Sequence, residues 1–362
     1  MSRMINIAID ARFYGTGHTG LGRYTTNVLK YLPKYFKGSS LKVLLRDSEY
    51  DNFPAAKNIV KIHAEIPHYS LAEQVMIPRL LRSIGADLLY TMHFNAPIYA
   101  GIPTIITVHD LIKSHFTGRD TTTRAPWLYT LKRFGYNQVI KNTLLKSSDI
   151  IVPTNTVKND ILSMFTTVKP ERIHPIAEAP DEIFRSTSHL SLSTSHLPSK
   201  YILFVGNAYP HKNLSVLLEA MKSLPDYELV IVAKSTPFLS RALAPYDQTR
   251  IHLLQNLSDQ DLVSVYKQAS LLVTPSFMEG YGLVGLEALM VGTPVVASNI
   301  AVYREVYGDK VTYFDPSSPK DLISVISNFH FSPLTTHFTY SRTWDDVARD
   351  ISEVIHARSS SL

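Results

Sequence analysis

Ten short apolar runs, most of them followed by a turn and then a helical stretch, limit what this chain can fold into. The first five are INIAID (5–10), LKVLL (41–45), DLLYT (87–91), TIITV (104–108) and DIIVP (149–153). The second five are YILFVG (201–206), YELVIVA (227–233), ASLLVTPS (269–276), TPVVAS (293–298) and VTYF (311–314). Strands that are apolar along their whole length, alternating with helices, belong to a parallel sheet covered on both faces. Between the two series, FRSTSHLSLSTSHLPSK (184–200) is rich in Ser, Thr and His and reads as a linker. At 362 residues the chain exceeds one core of usual size. The expectation is an α/β protein with a first domain at 1–183, a linker at 184–200 and a second domain at 201–340. A closing helix follows in 341–362, with Ser341 placed to cap it. The two halves are alike in architecture and not in sequence.

Composition narrows the function classes. Charged residues make up 19% and hydrophobic residues 45%, which argues against wholesale disorder. The chain has no cysteine, which excludes disulfides and thiolate metal sites and fits a reducing compartment. The opening MSRMINIAIDARFYG does not read as a signal peptide, because its apolar run is short and Asp10 and Arg12 follow at once. No stretch of about 18 uncharged apolar residues suggests a membrane span. The expected location is cytoplasmic. A net charge of +5 and a pI near 9.1 suit an anionic ligand or an anionic membrane surface. Nucleic acid is not expected, since neither zinc-finger spacing nor an RNA-binding aromatic motif occurs. RAPWLYTLKRFGYNQVIKNTLLK (124–146) carries Arg124, Lys132, Arg133, Lys141 and Lys146 and no acid. Trp127, Tyr129, Phe134 and Tyr136 are interleaved with them. Two readings stay open for this helix: peripheral contact with the inner face of an anionic membrane, or packing on the sheet with a solvated basic face.

The chemistry concentrates in SFMEGYGLVGLEALMVGTPVVAS (276–298). After the strand that ends at Pro275, two glycines keep SFMEGYG out of a helix. The helix should start near Leu283 and stop at Gly292, with Pro294 beyond. Glu279 then lies in a loop at a strand's carboxyl end and Glu287 in the helix that follows. Open α/β sheets bind ligands at that end. Two carboxylates among glycines suit a ligand rich in hydroxyls, and the glycines let a phosphate approach backbone N–H groups at a helix N-terminus. The bland alternative for Glu287 is a cap or a core pair.

E-G-Y-G-L-V-G-L-E-A-L-M-V-G-T-P resembles the E-x7-E signature of retaining glycosyltransferases of the family 4 type. That resemblance implies the GT-B fold: two Rossmann-like domains with parallel sheets facing a central cleft, and a C-terminal helix crossing back to the first domain. It implies that Glu279 sits at the donor sugar, that Glu287 holds the ribose hydroxyls, and that the backbone at Gly280, Tyr281, Gly282 and Leu283 touches sugar or diphosphate. FVGNAYPHKN (204–213) is similar to the strand-loop segment of the family that starts at Gly206 and places a lysine, here Lys212, on the donor phosphates. Asn207 stands where many relatives have an arginine, and Lys234 is the expected substitute charge. GTGHTGLG (15–22) reads as a loop before a helical stretch from about Arg23 to Tyr35, and GTGHTGLGRYTTNVL (15–29) resembles the family's glycine-rich segment after the first strand, so Gly20, Leu21 and Gly22 are expected near donor phosphate or acceptor. ITVHDLIKSHF (106–116) matches its V-H-D-L segment, which implies that His109 faces a sugar and that Asp110 orients it. HFNAP (93–97) resembles a further cleft loop, with His93 as a lesser candidate. The likeness runs from the first strand to the region of Trp344.

The implied activity is metal-independent transfer of a hexose from a sugar nucleotide to a saccharide or lipid-linked acceptor, with no cofactor. No D-x-D follows a strand as in metal-dependent transferases. The segments GLGRY, TVHDL and YPHKN look most like mannosyltransferases of polysaccharide or glycolipid assembly, hence GDP-mannose, with UDP-glucose or another UDP-sugar as the alternative. A retaining hydrolase, a sugar-nucleotide epimerase and a non-catalytic sugar-nucleotide binder are the rival classes. The spacing Gly15-x-Gly17-x-x-Gly20 also mimics a dinucleotide fingerprint, but no acidic residue closes the second strand at the required distance.

Overall fold

A computed structural model describes residues 5–15, 19–118, 121–122, 125–185, 197–329 and 338–361. Gly17, Arg124 and most of the expected linker, 186–196, lie outside the described residues. The chain divides into two compact units, one of residues 1–111, 124–178 and 344–362, the other of 112–123 and 179–343.

Among the described residues the sheet of the first unit has seven strands: β1 (Asn6–Asp10), β2 (Ser40–Leu45), β3 (Ile59–His63), β4 (Leu88–Thr91), β5 (Thr104–Thr107), β6 (Asp149–Val152) and β7 (Ile173–Pro175). Their order is β3-β2-β1-β4-β5-β6-β7, and every pairing is parallel. The sheet of the second unit has six among the described residues: β8 (Tyr201–Val205), β9 (Glu228–Val232), β10 (Ile251–Leu254), β11 (Leu271–Thr274), β12 (Val295–Ser298) and β13 (Thr312–Phe314). Their order is β10-β9-β8-β11-β12-β13, again parallel throughout. β4, β5, β6, β11 and β12 are buried on both faces, as apolar strands under helices must be. In each sheet the chain works outward on one side and then returns to the other, so the order reverses between β1 and β4 and between β8 and β11. Loops leaving the carboxyl ends of such strand pairs form the crevice where open α/β sheets hold ligands.

Three strands were not foreseen: β3, β7 and β10. All three are edge strands and are only partly buried, so their sequences IVKIH, IHP and IHLL carry too little apolar signal. The first helix also departs from expectation. It runs Thr19–Tyr31, not from Arg23, so Gly20, Leu21 and Gly22 form its opening turn. Glycine costs less in this opening turn than in a helix interior, where its loss of backbone freedom is felt in full.

The closing helix, Trp344–Ser359, belongs to the first unit. Its buried face is Trp344, Val347, Ala348, Ile351 and Ile355, the spacing of one helical stripe. Tyr35 donates to Asp345 Oδ1 at 2.9 Å and Arg358 Nε meets Asp149 Oδ2 at 2.7 Å, fixing both ends. Because the helix begins at Trp344, Ser341 lies outside it and does not cap it. The second unit begins before the polar stretch. Phe184 is buried edge-on against Tyr266 with ring centroids 5.8 Å apart, and Arg185 Nη1 donates to the Tyr340 carbonyl at 2.6 Å.

Candidate functional site

Two loops of the second unit leave the switch point between β8 and β11. One runs from Gly206 to Asn213, the other from Pro275 to Gly282. Gly206 has φ +136° and its N–H donates to the Val232 carbonyl at 2.9 Å, so the chain turns off β8 in a conformation that suits glycine. Asn213 ends this loop with φ +51°, and its buried Nδ2 donates to the carbonyls of Pro275 (3.0 Å) and Pro316 (2.8 Å). The Phe277 N–H donates to the His211 carbonyl at 2.8 Å. These bonds join the two loops, and the residues between them face each other as a consequence.

The centre of that arrangement is Glu279. Its Oε1 accepts from Lys212 Nζ at 2.6 Å, from Ser276 Oγ at 2.7 Å and from Tyr303 Oη at 3.2 Å. Burial is the largest single influence on this carboxyl and pushes it up. The Lys212 ammonium, the Ser276 hydroxyl and His211 together outweigh it and hold the group below its ordinary value. Glu279 is therefore ionised at neutral pH. The buried phenol of Tyr303 is held well above its ordinary range by burial and by the Glu279 charge, and remains a donor.

The helix Leu283–Met290 starts where the spacing predicts, with Gly282 at φ +100° before it. A tyrosine pair on the helix Ala301–Tyr307 packs against this start. Tyr303 and Tyr307 stack with centroids 4.9 Å apart, and Tyr307 Oη donates to the Gly282 carbonyl at 2.5 Å. A Cβ on Gly282 would stand 2.7 Å from Tyr303 Cε1, and one on Gly285 would stand 2.5 Å from Tyr307 Cζ. The glycines are thus demanded by close packing as well as by the turn. Tyr281 is buried and shares a hydroxyl contact with Tyr340. Gly280 and Leu283 flank it on the same loop and helix start.

Glu287 lies on the buried face of that helix, and its Oε2 accepts from Tyr266 Oη at 3.0 Å. The Tyr266 carbonyl in turn accepts from Thr293 Oγ1 at 2.6 Å. The two carboxylates of the motif are therefore held by separate networks. Asn207 is half-buried beside Gly206, and Lys234 is exposed just past β9, the strand paired in parallel with β8. Both stand at the same end of the sheet as Glu279. Among the described residues Lys234 makes no ion pair.

The first unit holds a second cluster. His109 follows β5. Its Nδ1 lies 3.3 Å from Glu178 Oε1 and its Nε2 lies 3.0 Å from the Met92 carbonyl oxygen. Both partners only accept when Glu178 is ionised, so both bonds form together only with the doubly protonated ring. Burial opposes that charge and is the largest influence, but Glu178, the Met92 carbonyl and Asp110 outweigh it and raise the imidazole above its ordinary value. Tyr24, from the glycine-rich segment of the first helix, packs edge-on against His109 at 4.5 Å and against Trp344 at 5.6 Å. His93 lies close to Tyr69, with Nε2 3.3 Å from the Tyr69 hydroxyl. Gly20 is exposed, and a Cβ there would touch nothing within 4 Å.

The sequence reading did not single out Ser276, Asn213, Tyr303, Tyr307, Tyr266 or Glu178. The one local signal was the i, i+4 pair of tyrosines in VYREVYG (302–308).

Known families match both halves of the chain. The family described as Glycosyltransferase Family 4 matches residues 18–179, and Glycosyl transferases group 1 matches 193–331. The chain belongs to these glycosyltransferases. It is 26% identical over 262 residues to the O-antigen chain mannosyltransferase RfbU of Salmonella typhimurium, covering 70% of this chain and 68% of that one. It is 27% identical over 322 residues to the O-antigen chain mannosyltransferase B of Escherichia coli, covering 83% and 84%. A third relative, the serotype-specific mannosyltransferase WbdA of E. coli, is 26% identical over 315 residues, which span 78% of this chain and 37% of WbdA. Among solved structures, Anabaena HepE in complex with UDP and glucose aligns with TM-score 0.68 at 16% identity, covering 99% of this chain and 100% of that one. The lipopolysaccharide glycosyltransferase WaaG aligns with TM-score 0.67 at 16% identity, covering 96% and 95%. The fold is GT-B, two parallel α/β sheets in one chain. Among the described residues no helix is long and apolar enough to cross a membrane.

Proposed function

We propose that this glycosyltransferase is a retaining hexosyltransferase that takes mannose from GDP-mannose and passes it to a saccharide or lipid-linked saccharide acceptor in polysaccharide or glycolipid assembly. The observation that carries the reading is the Lys212–Glu279 pair, set with Ser276 and Tyr303 at the carboxyl ends of β8 and β11. Three mannosyltransferases among the relatives favour the sugar.

In this reading Glu287 accepts the ribose hydroxyls, and the backbone from Gly280 to Leu283 meets the diphosphate at a helix N-terminus. Lys212 turns from Glu279 to the diphosphate as it leaves, with Lys234 as the second charge in place of the arginine absent at Asn207. Glu279, ionised and half-enclosed, stabilises the positive charge that grows on the sugar ring. The leaving diphosphate takes the acceptor proton, and attack comes on the same face. His109 donates to a sugar hydroxyl by exchanging one of its two internal partners. Gly20, Leu21 and Gly22 open the first helix with N–H groups that suit phosphate or acceptor oxygens. Phosphate charge is met by lysines and helix ends, without a metal.

One observation favours a second donor class: the similar fold of HepE was solved with UDP-glucose. Calorimetric titration with GDP, UDP and ADP, each in EDTA and then in magnesium, separates the possibilities. Tight GDP binding unchanged by EDTA is the expected result. A preference for UDP transfers the proposal to a UDP-hexose, a requirement for magnesium removes the metal-independent part, and binding of none removes the donor site.

A further inference from the structure

All the donors to Glu279 converge on one of its oxygens. Lys212, Ser276 and Tyr303 bond Oε1, and among the described residues Oε2 makes no hydrogen bond. The three distances are unequal. Lys212 and Ser276 stand at 2.6 and 2.7 Å, as short as charge-assisted bonds run, whereas the Tyr303 hydroxyl stands back at 3.2 Å. Lys212 is also the donor placed to leave, because 23% of its side chain is exposed, against 1% of Tyr303.

Tyr303 is fixed on every side. Its ring stacks on Tyr307 at 4.9 Å, and its edge fills the space that a Cβ on Gly282 would need. Its carbonyl accepts from Tyr313 Oη at 3.0 Å. Its hydroxyl lies 2.5 Å from Oγ1 of Thr274, the last residue of β11. An ionised carboxylate only accepts, so the single phenolic proton goes to Glu279 and Thr274 must donate to the phenol oxygen. The two hydroxyls form a chain that ends on Oε1, and each bond in such a chain strengthens the next.

The titratable groups that face Glu279 are Lys212 and His211 from the loop after β8, and Tyr303 and Tyr307 from the helix Ala301–Tyr307. The Tyr307 hydroxyl is committed to the Gly282 carbonyl. Once Lys212 turns away, Ser276 and Tyr303 are the side-chain donors left on Oε1, and the long Tyr303 bond is the one with room to shorten.

We infer that Tyr303, backed by Thr274, is a positioning residue that takes over Oε1 of Glu279 when Lys212 moves to the diphosphate, leaving Oε2 turned to the sugar. The inference rests on the proposed function for the departure of Lys212.

The test is a carboxyl-carbon NMR titration of the full chain labelled at glutamate, free and saturated with GDP or with UDP. Glu279→Gln identifies the signal by its loss. Bound nucleotide raises the Glu279 midpoint in wild type and variants alike, since it draws Lys212 away and adds negative charge. In Tyr303→Phe the midpoint lies slightly above wild type without nucleotide, and the gap widens to about one pH unit with it. Thr274→Val widens the gap in the same sense by less, and carries the test if Tyr303→Phe does not fold. A gap that is absent, or equal with and without nucleotide, overturns the inference. So does an equal nucleotide-dependent gap in Tyr307→Phe, which would mark a general packing effect. Failure of both nucleotides to bind removes the donor site of the proposed function, and this role with it; binding without a widened gap removes this role alone.

Discussion

Glu279 in the second unit and His109 in the first are both charged groups held by a partner of opposite sign, yet they are built in opposite senses. Glu279 is a carboxylate kept ionised by Lys212, with its ordinary value lowered. His109 is an imidazole kept protonated by Glu178, with its ordinary value raised. In both, burial is the largest influence and works against the charge, so each charge persists because several nearby groups together outweigh it. The surroundings differ as well. Glu279 accepts three side-chain donors and leaves Lys212 partly exposed, an arrangement that can exchange partners with an incoming diphosphate. His109 has both ring nitrogens engaged inside its own unit. In the proposed reading Glu279 works at the reacting sugar, whereas His109 must first give up one of its internal bonds to meet a sugar hydroxyl.

Removing Glu279 should break the comparison most sharply. Glu279→Ala is expected to lower kcat about 100- to 1,000-fold, with nucleotide affinity little changed, as steady-state kinetics and calorimetry on one preparation would show. An equal loss from His109→Ala would erase the distinction. Next comes packing beneath the Glu279 loop. Gly285→Ala places a methyl group against Tyr307 and should cost about 1–3 kcal/mol in thermal or urea unfolding. In a Tyr307→Ala background the Gly285→Ala penalty should shrink, because the overlap is with that ring.

The pH dependence of stability should separate the two pairs by sign. The Lys212–Glu279 contribution is present above the ordinary carboxylate range and is lost as pH falls through the lowered Glu279 value. Destabilisation by Glu279→Gln should therefore shrink in acid. The His109–Glu178 contribution is complete below the ordinary histidine range, near 6.5, and is lost as pH rises through the raised value. Destabilisation by Glu178→Gln should shrink in base, and the imidazole C–H signals of His109 should titrate at lower pH in that variant. The effect is about 1 kcal/mol, the smallest of the set.

Much of this was legible in the sequence, and the failures have a common cause. Both parallel sheets were readable because their central strands are apolar on two faces, whereas the edge strands β3, β7 and β10 were not. The start of the Leu283 helix followed from Gly282 and Pro275, Glu279 and Glu287 stood out as charges in a glycine-rich, apolar stretch, and Lys212 was found only through the family resemblance of FVGNAYPHKN. Their partners did not. Tyr303 is 24 residues from Glu279, Tyr266 is 21 from Glu287 and Glu178 is 69 from His109. Such pairs are fixed by how strands order in the sheet and leave no local pattern. The helix onset at Thr19 was missed for a different reason: glycines read as loop even where a helix's first turn accepts them.

The most direct measurement is the affinity of the Glu287→Gln chain for the nucleoside diphosphate that the wild type binds. The substitution keeps the size of the side chain and a group for Tyr266, but removes the charge that would hold the ribose. A loss of about tenfold or more, with unchanged unfolding temperature, is the predicted result. Unchanged affinity would contradict the assignment of this loop and helix as the donor site.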